Sequence, residues 1–444
     1  MKRTVMAIIA GGLAVLGGLT AEAMSPLTRG PSVRLDGRLN CPYIGANGGR
    51  AYLQLSVVSS EYAPPDRQRL NVAVVLDRSG SMAAEGKIQH ARAALRTLIE
   101  QLGSDDIFSL VIYDDVVDVL RPAGRVGEKE TLRRLVDEIA PRGWTNLGGG
   151  MMEGYEQAER YARRGYTNRV VLLSDGLANQ GITDPYELGR IAREHRHHAI
   201  SLTTMGVGLE YNENLMMRLA ENGGGNYYFI ESARNLAAVL RNEFQRLSCV
   251  VAQNARIELT LGRGVRVVDV IGCDRHSDGD RYVIPVGDLY GGDRREFTVE
   301  LEIPEGSGTT DVVRGTLVYE SELADLGRPS FSAHVHYTHD LTEVDRNRDL
   351  ETQAKADVAV STRAVDQAMN ALDAGRRDEA ASVIATAKQA LAASPAMHSV
   401  AGGALREQEV KLESYESGVR DISVDARKAK KSIQYDNYRT QKQK

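Results

Sequence analysis

Residues 70–76 read Leu-Asn-Val-Ala-Val-Val-Leu, a nearly continuous apolar and β-branched run that stops at Asp77-Arg78-Ser79-Gly80-Ser81. A strand with no polar face has to be covered on both sides, which places it at the centre of a parallel sheet between helical layers. The chain keeps to that plan as far as Leu247. Apolar residues at Ile88, Ala91, Leu95, Leu98 and Leu102 have helical spacing, and strands are expected at 107–113, 170–173, 200–207 and 226–230. Helices are expected at 128–139, 151–163, 185–195, 214–221 and 233–247. Residues 116–120 follow 107–113 after only Asp114-Asp115, so they pair back as a tight antiparallel hairpin. The pattern predicts a doubly wound, mostly parallel α/β sheet.

The flanks have a different period. Val33, Leu35 and Leu39, then Ala51, Leu53, Leu55 and Val57, alternate across a Gly-rich stretch at 45–49, as in a β-hairpin with one buried face. Pro64-Pro65 breaks the chain. Alternation returns over 255–339, with runs at Ile257, Leu259, Leu261; at Phe297, Val299, Leu301, Ile303; and at Phe331, Ala333, Val335, Tyr337. Both parts fit one antiparallel β-sandwich into which the α/β domain is inserted. Beyond Asp340, Leu350, Ala354, Val358, Val365, Met369 and Leu372 share a helical face, and Gly375 ends it. Ala380, Ile384, Ala387 and Leu391 form a second stripe before Pro395, giving a helical hairpin of tetratricopeptide-like style. Residues 427–444 carry seven basic side chains and one acid, which predicts a solvated, disordered tail. The expected division is 1–23 leader, 24–65 β-hairpin, 66–248 α/β domain, 249–340 β-sandwich, 341–425 helical hairpin region and 426–444 basic tail.

With 42% hydrophobic and 26% charged residues, the 444-residue chain is ordinary globular material, and its formal net charge of -5 excludes a whole-chain basic field for nucleic acid. Lys2 and Arg3 precede an uncharged apolar run over 5–19, and Ala21-Glu22-Ala23 has the spacing of a signal-peptidase site. The expectation is export, with a mature start near Met24 and a periplasmic or secreted protein; retention of the run as a membrane anchor is the alternative. Export permits a disulfide among Cys41, Cys249 and Cys273, while three buried small apolar side chains are the plainer reading.

Asp77 ends the first parallel strand, Ser79 and Ser81 follow at alternate positions, Thr145 lies in a Gly-rich loop opening a helix, and Asp175 follows the strand ending at Ser174. Ligands of open parallel sheets bind beyond these strand ends. Two carboxylates and three hydroxyls meeting there would repel or stay unsatisfied without a hard cation. Hydroxyls neutralise little, so such an ion keeps water-filled positions that a foreign carboxylate can take. Octahedral, oxygen-preferring Mg²⁺ fits, Mn²⁺ similarly, Ca²⁺ less tightly. This constellation resembles the von Willebrand factor A domain with its metal-ion-dependent adhesion site, whose pattern is Asp-x-Ser-x-Ser, a distant Thr and a later Asp in a Ser-Asp-Gly turn. Asp77, Ser79, Ser81, Thr145 and Asp175 match all five places. The resemblance implies Ser79, Ser81 and Thr145 as direct metal ligands, with Asp77 and Asp175 acting through water or exchanging with state. The flanking β modules and helical end are similar to exported bacterial proteins with a central A domain, and more loosely to the inter-alpha-trypsin inhibitor heavy chains.

Other signals are weaker. His195, His197 and His198 at a helix end read as a solvated, dipole-favoured cluster; His334 and His336, with His339 beyond, read as a polar strand face; Asp114 and Asp115 read as turn residues. The sequence has no phosphate-binding Gly-x-x-x-x-Gly-Lys-Ser/Thr loop, no Gly-x-Ser-x-Gly elbow and no His-Glu-x-x-His run. The expectation is an exported binding protein, not an enzyme, that takes up a partner protein bearing an exposed carboxylate, in the cell envelope or on a membrane protein. Rival readings are a regulatory subunit of a MoxR-type ATPase and a metal-assisted hydrolase.

Overall fold

The computed structural model of the protein describes residues 32–61, 67–163, 165–273, 276–278, 281–321, 327–421 and 426–442. The leader over 1–23 and the Pro64-Pro65 break lie outside these residues. Among the described residues no helix is long and apolar enough to cross a membrane.

The chain opens with β1 (Val33–Leu39), β2 (Tyr43–Gly45) and β3 (Gly49–Ser59). β1 and β3 pair antiparallel, Leu35 opposite Val57, so the alternating apolar residues turn to one face. The expected hairpin is present with one correction: its connecting residues leave the sheet, and β2 forms a parallel edge strand of a second sheet.

The α/β domain follows as β4 (Arg69–Asp77), α1 (Lys87–Gln101), β5 (Ile107–Tyr113), β6 (Val117–Arg125), α2 (Lys129–Asp137), α3 (Leu147–Glu159), β7 (Tyr166–Ser174), α4 (Pro185–His197), β8 (Ile200–Val207), α5 (Glu213–Asn222), β9 (Gly224–Ile230) and α6 (Leu236–Leu247). The sheet order is β6-β5-β4-β7-β8-β9, and β6 alone runs antiparallel. β4 serves two layers: Leu70, Val72, Val74 and Leu76 join the core under α1, α2 and α6, while Ala73 and Val75 join the core under α3, α4 and α5. The chain moves one way across the sheet after β4 and the other way after β7, so the topological switch point lies between the ends of these two strands. Helix α3 lies unusually close to that point. A Cβ on Gly154 would stand 2.4 Å from Val75 Cγ2, and one on Gly150 would stand 2.6 Å from the Tyr113 ring.

The sandwich then resumes with β10 (Val250–Leu261), β11 (Arg266–Ile271), β12 (His276–Asp278), β13 (Arg281–Tyr290), β14 (Arg294–Ile303), β15 (Thr309–Glu320) and β16 (Ser330–Thr338). Its two sheets have the orders β1-β3-β14-β11 and β12-β13-β10-β15-β16-β2. β14 pairs with β3 along its whole length, Phe297 opposite Leu55. Strands from before and after the α/β domain therefore share one sheet, and that domain is an insertion in the sandwich. A buried ion pair joins the two. Arg169 of β7, with no exposed surface, donates to Asp288 Oδ2 (2.8 Å) and to Tyr290 Oη (3.0 Å) of β13. Glu243 of α6 completes the cluster, accepting from Thr203, Asn226 and Tyr228. Burial raises the Glu243 pKa, but Arg169 and these donors outweigh it and hold the carboxyl below its ordinary range.

The carboxyl-terminal helices are α7 (Leu341–Arg346), α8 (Leu350–Asp373), α9 (Arg377–Ala392), α10 (Gly402–Arg420) and α11 (Ala426–Lys442). α8 and α9 make the expected hairpin, turned at Gly375 with φ +75°. Two expectations are corrected. The region is not a hairpin alone, because α10 packs back on both helices and Leu405 and Leu412 join their core. The basic end is not a disordered tail but α11, laid across β9 and α5. Lys430 and Lys431 pair with Glu213, Lys431 Nζ also donates to the Tyr211 carbonyl (2.7 Å), and Tyr435 and Tyr438 stack edge-on against Tyr227. The acids that balance its lysines lie on other elements, Asp373 on α8 and Glu213, Glu221 and Glu231 about two hundred residues earlier, so local charge counting misses them. No disulfide joins Cys41, Cys249 and Cys273.

Removing residues 426–444 would bare Tyr227 and strand the buried Glu213 without a cation. The melting midpoint should fall by roughly 5–10 °C in calorimetry; a solvated tail would be removed with a change of about 1 °C or less.

Candidate metal centre

Asp77 is the last residue of β4, and Asp175 follows the last residue of β7. The two strands are neighbours, with Leu76 opposite Leu173, so both carboxyls emerge side by side at the switch point. Both have no exposed surface, and Ser79 and Thr145 are also buried, whereas Ser81 is exposed. Ser79 Oγ and Ser81 Oγ lie 3.0 Å apart, and Ser81 Oγ donates to Asp175 Oδ1 at 2.7 Å. Thr145 arrives from the loop before α3, whose first turn is capped by Asn146 accepting from the Gly149 amide (3.0 Å). Thr145 Oγ1 lies 3.1 Å from the position a Cβ on Gly176 would occupy, and Ser81 Oγ 3.6 Å from it, so Gly176 keeps the space between them open. All five residues picked from the sequence therefore border one point.

Asp77 is heavily engaged. Its Oδ1 accepts the Ser79 amide (2.8 Å), and its Oδ2 accepts Ser174 Oγ (2.8 Å) and, at 3.5 Å, Tyr113 Oη. Burial still pushes its pKa up to about 6; the Asp175 charge adds to the rise, while the Ser79 and Ser174 hydrogen bonds oppose it. A cation beside it would favour the ionised form and reverse that rise. Asp175 has a partner that sequence reasoning missed. Lys87, at the start of α1 and 6% exposed, places Nζ 2.7 Å from Asp175 Oδ2. Its only sequence signal is a lysine at the first position of a helix whose next residue is core.

The loops carrying these groups are stitched to one another. Gly80 N donates to the Gly143 carbonyl (3.1 Å) and Arg142 N to the Arg78 carbonyl (2.8 Å). Asn179, four residues after Asp175, accepts the Thr145 amide on Oδ1 (3.0 Å), and its own amide returns a bond to the Thr145 carbonyl (3.1 Å). Asp114 does more than turn a hairpin: fully buried, it takes Arg78 Nε and Arg142 Nε at 2.7 Å each. Burial raises its pKa, but the Val116 amide, Arg142 and Arg78 hold it below the ordinary range. Arg78, the residue between Asp77 and Ser79, is thus the pin that fixes the first loop.

Residues 71–242 match the sequence model of the von Willebrand factor type A domain. The chain carries a von Willebrand factor type A domain. An uncharacterized Escherichia coli protein, YfbK, is 26% identical over 276 residues, which are 60% of this chain and 48% of that protein. The human inter-alpha-trypsin inhibitor heavy chain H4 is 27% identical over 228 residues, 48% of this chain and 24% of that one. The chain thus spans half or less of the length of these curated relatives. The solved structure of a von Willebrand factor type A protein from Catenulispora acidiphila superposes with a TM-score of 0.72 over 92% of this chain and 97% of that one, at 15% identity. That last likeness is one of fold, and it extends beyond the A domain to most of the sandwich and helices.

In this A domain the donor set fits a hard divalent ion: two buried carboxyls and three hydroxyls face one point, with Lys87 as the protein cation bound to one of them. Counted with both carboxylates ionised, Lys87 leaves one negative charge unbalanced, which a divalent ion would turn into one positive charge. Away from this point, His195 is drawn from the expected solvated cluster: it stacks on Tyr155 at 3.9 Å and approaches Glu159 at 2.8 Å, with His198 Nδ1 3.9 Å from the same oxygen. His334 and His336 share a face of β16 with their rings edge to face.

Replacing Lys87 leaves Asp175 buried and unpaired. Lys87→Met should cost about 3–5 kcal/mol of stability in chelator, read by urea unfolding; a cost under about 1 kcal/mol would show that the pair is incidental.

Proposed function

We propose that the A domain holds a divalent cation, Mg²⁺ in the first instance, on Ser79, Ser81 and Thr145 with Asp77 and Asp175 behind them, and that this ion captures an acidic side chain of a partner protein. A domains bind divalent ions at this position and mediate protein–protein interaction, and the observation that carries the reading here is the asymmetry of exposure. Both carboxyls are sealed in, while Ser81 faces solvent, so a bound ion would be reachable from the outer side. Both carboxyls are also already engaged, Asp77 by Ser174 and the Ser79 amide, Asp175 by Ser81 and Lys87. Neither is left as a base, which favours a binding centre over a hydrolytic one.

The rim adds chemistry of its own. Trp144 precedes Thr145 and is 65% exposed; Leu177 stands two residues after Asp175 at 56%; Val116 sits in the adjoining β5–β6 turn at 47%. Large apolar side chains left in water around a polar centre mark an interaction surface. The reading is therefore a partner segment with an acidic residue flanked by apolar ones. The leader expected over 1–23 would put that encounter in the cell envelope or outside the cell.

Titration calorimetry of the full chain should give one Mg²⁺ site, lost in the double variant Asp77→Ala/Ser79→Ala with the circular dichroism spectrum retained. Unchanged affinity in that variant would overturn the assignment. Peptides selected on the wild-type protein in Mg²⁺ should carry the acidic–apolar pattern and release in chelator. Trp144→Ala should weaken them about 10-fold or more while leaving Mg²⁺ affinity within about 2-fold.

A further inference from the structure

A cavity of about 360 Å³ opens at the far end of the A domain, where α4 and β9 meet β13, β14 and the end of α11. Its apolar wall includes Val283, Pro285 and Phe297, and its charged wall includes Arg193, Arg196 and Arg256. This mixture, a mostly apolar hollow with a few convergent polar groups at a junction of domains, is the usual make-up of a small-molecule site.

Arg196 is the feature that needs explaining. It is 8% exposed, and its guanidinium makes no hydrogen bond or ion pair among the described residues. Its five N–H donors find no protein acceptor, and since none of its nitrogens is fully sealed they face the hollow. The neighbouring cations are each engaged: Arg193 donates to Asn222 Oδ1 at 2.8 Å and Arg256 to Glu258 at 3.0 Å. The acids on the wall are engaged as well. Asp288 already accepts Arg169 (2.8 Å), Ser201 Oγ (3.1 Å) and the Asn254 amide (3.1 Å), and Glu221 pairs with Lys442 at 3.1 Å. Burial lowers the Arg196 pKa; Asp288 opposes the fall, and Arg256 and Arg193 add to it. The place is nevertheless made for this side chain. Gly224, at φ +72°, leaves the room Arg196 uses, since a Cβ there would lie 2.8 Å from Arg196 Nε.

We propose that this cavity binds a small organic anion, whose phosphate or carboxylate pairs with Arg196 while its apolar body rests against Pro285 and Phe297. The guanidinium fork matches both head groups in a bidentate manner. An aromatic or short branched body suits the volume. The site stands apart from the metal centre, at the opposite edge of the same sheet, and does not rest on the metal reading.

Phenyl phosphate and phenylacetate serve as probes on the full chain, with inorganic phosphate and phenol as the half-ligands. At least one probe should bind with a stoichiometry near one and raise the melting midpoint, about 10-fold more tightly than either half-ligand, and equally well in chelator. The tighter probe identifies the head group. Arg196→Met should lose that binding about 10-fold or more while melting at or above the wild-type temperature, because it removes an uncompensated buried charge. Failure of both probes to bind overturns the proposal, as does an Arg196→Met variant that binds as well as wild type. An Arg196→Met midpoint several degrees below wild type also overturns it, since the arginine would then be structural.

Discussion

Two carboxyl groups with no exposed surface, standing side by side at the ends of β4 and β7, set the terms for everything around them. Burial at that depth is tolerated only with donors and countercharge supplied by the protein. The surroundings answer this requirement closely. Ser174 and the Ser79 amide hold Asp77, Lys87 and Ser81 hold Asp175, and Asn179 ties the Thr145 loop to the loop after Asp175. The loops are thus bonded to each other and not only to the site groups.

β7 carries a second fixed point at its other end. Ser174 closes the strand beside Asp77, and Arg169, five residues earlier, is locked to Asp288 and Tyr290 of the sandwich. One central strand thus connects the candidate metal centre to the junction between domains. Beside that junction lies the cavity lined by Arg196, and across it runs α11. The lower edge of the sheet is therefore a densely charged seam, and among the described residues the Arg196 guanidinium stands out in it as making no hydrogen bond or ion pair.

Much of this was legible in the sequence, for identifiable reasons. The apolar run before Asp77 fixes a central parallel strand, the change from period 2 to period 3.6 and back marks the insertion, and Asp77 and Asp175 fall at the strand ends where ligands of such sheets gather. Legibility ends where partners are remote. Lys87 carries a charge, and nothing in its local pattern says that the charge is buried on a residue eighty-eight positions later. The α11 lysines read as a solvated tail because the acids that hold them, Glu213 foremost, belong to another domain. β2 leaves its hairpin because its hydrogen bonds are taken by β16, almost three hundred residues on. In each case local composition gives the residue's chemistry correctly and its environment wrongly, since environment is decided by tertiary pairing.

The mode of insertion bears on function. β4 enters the A domain at Arg69, at the amino edge of the parallel sheet, and β10 leaves it at Val250, whose partner is Tyr290 on the sandwich. Both connections therefore lie at the edge opposite Asp77 and Asp175. The sandwich packs against that lower edge through Arg169, α11 runs beside β9 from Lys442 at Glu221 up to Lys428 at Glu231 and Arg427 at Glu210, beyond the carboxyl ends of β9 and β8, and the ends of β4 and β7 with their apolar rim are left outward. A domain anchored by both ends at its base can present a face without either linker crossing it. The same arrangement gives the sandwich a direct mechanical hold on β7, the strand that positions one of the two carboxyls.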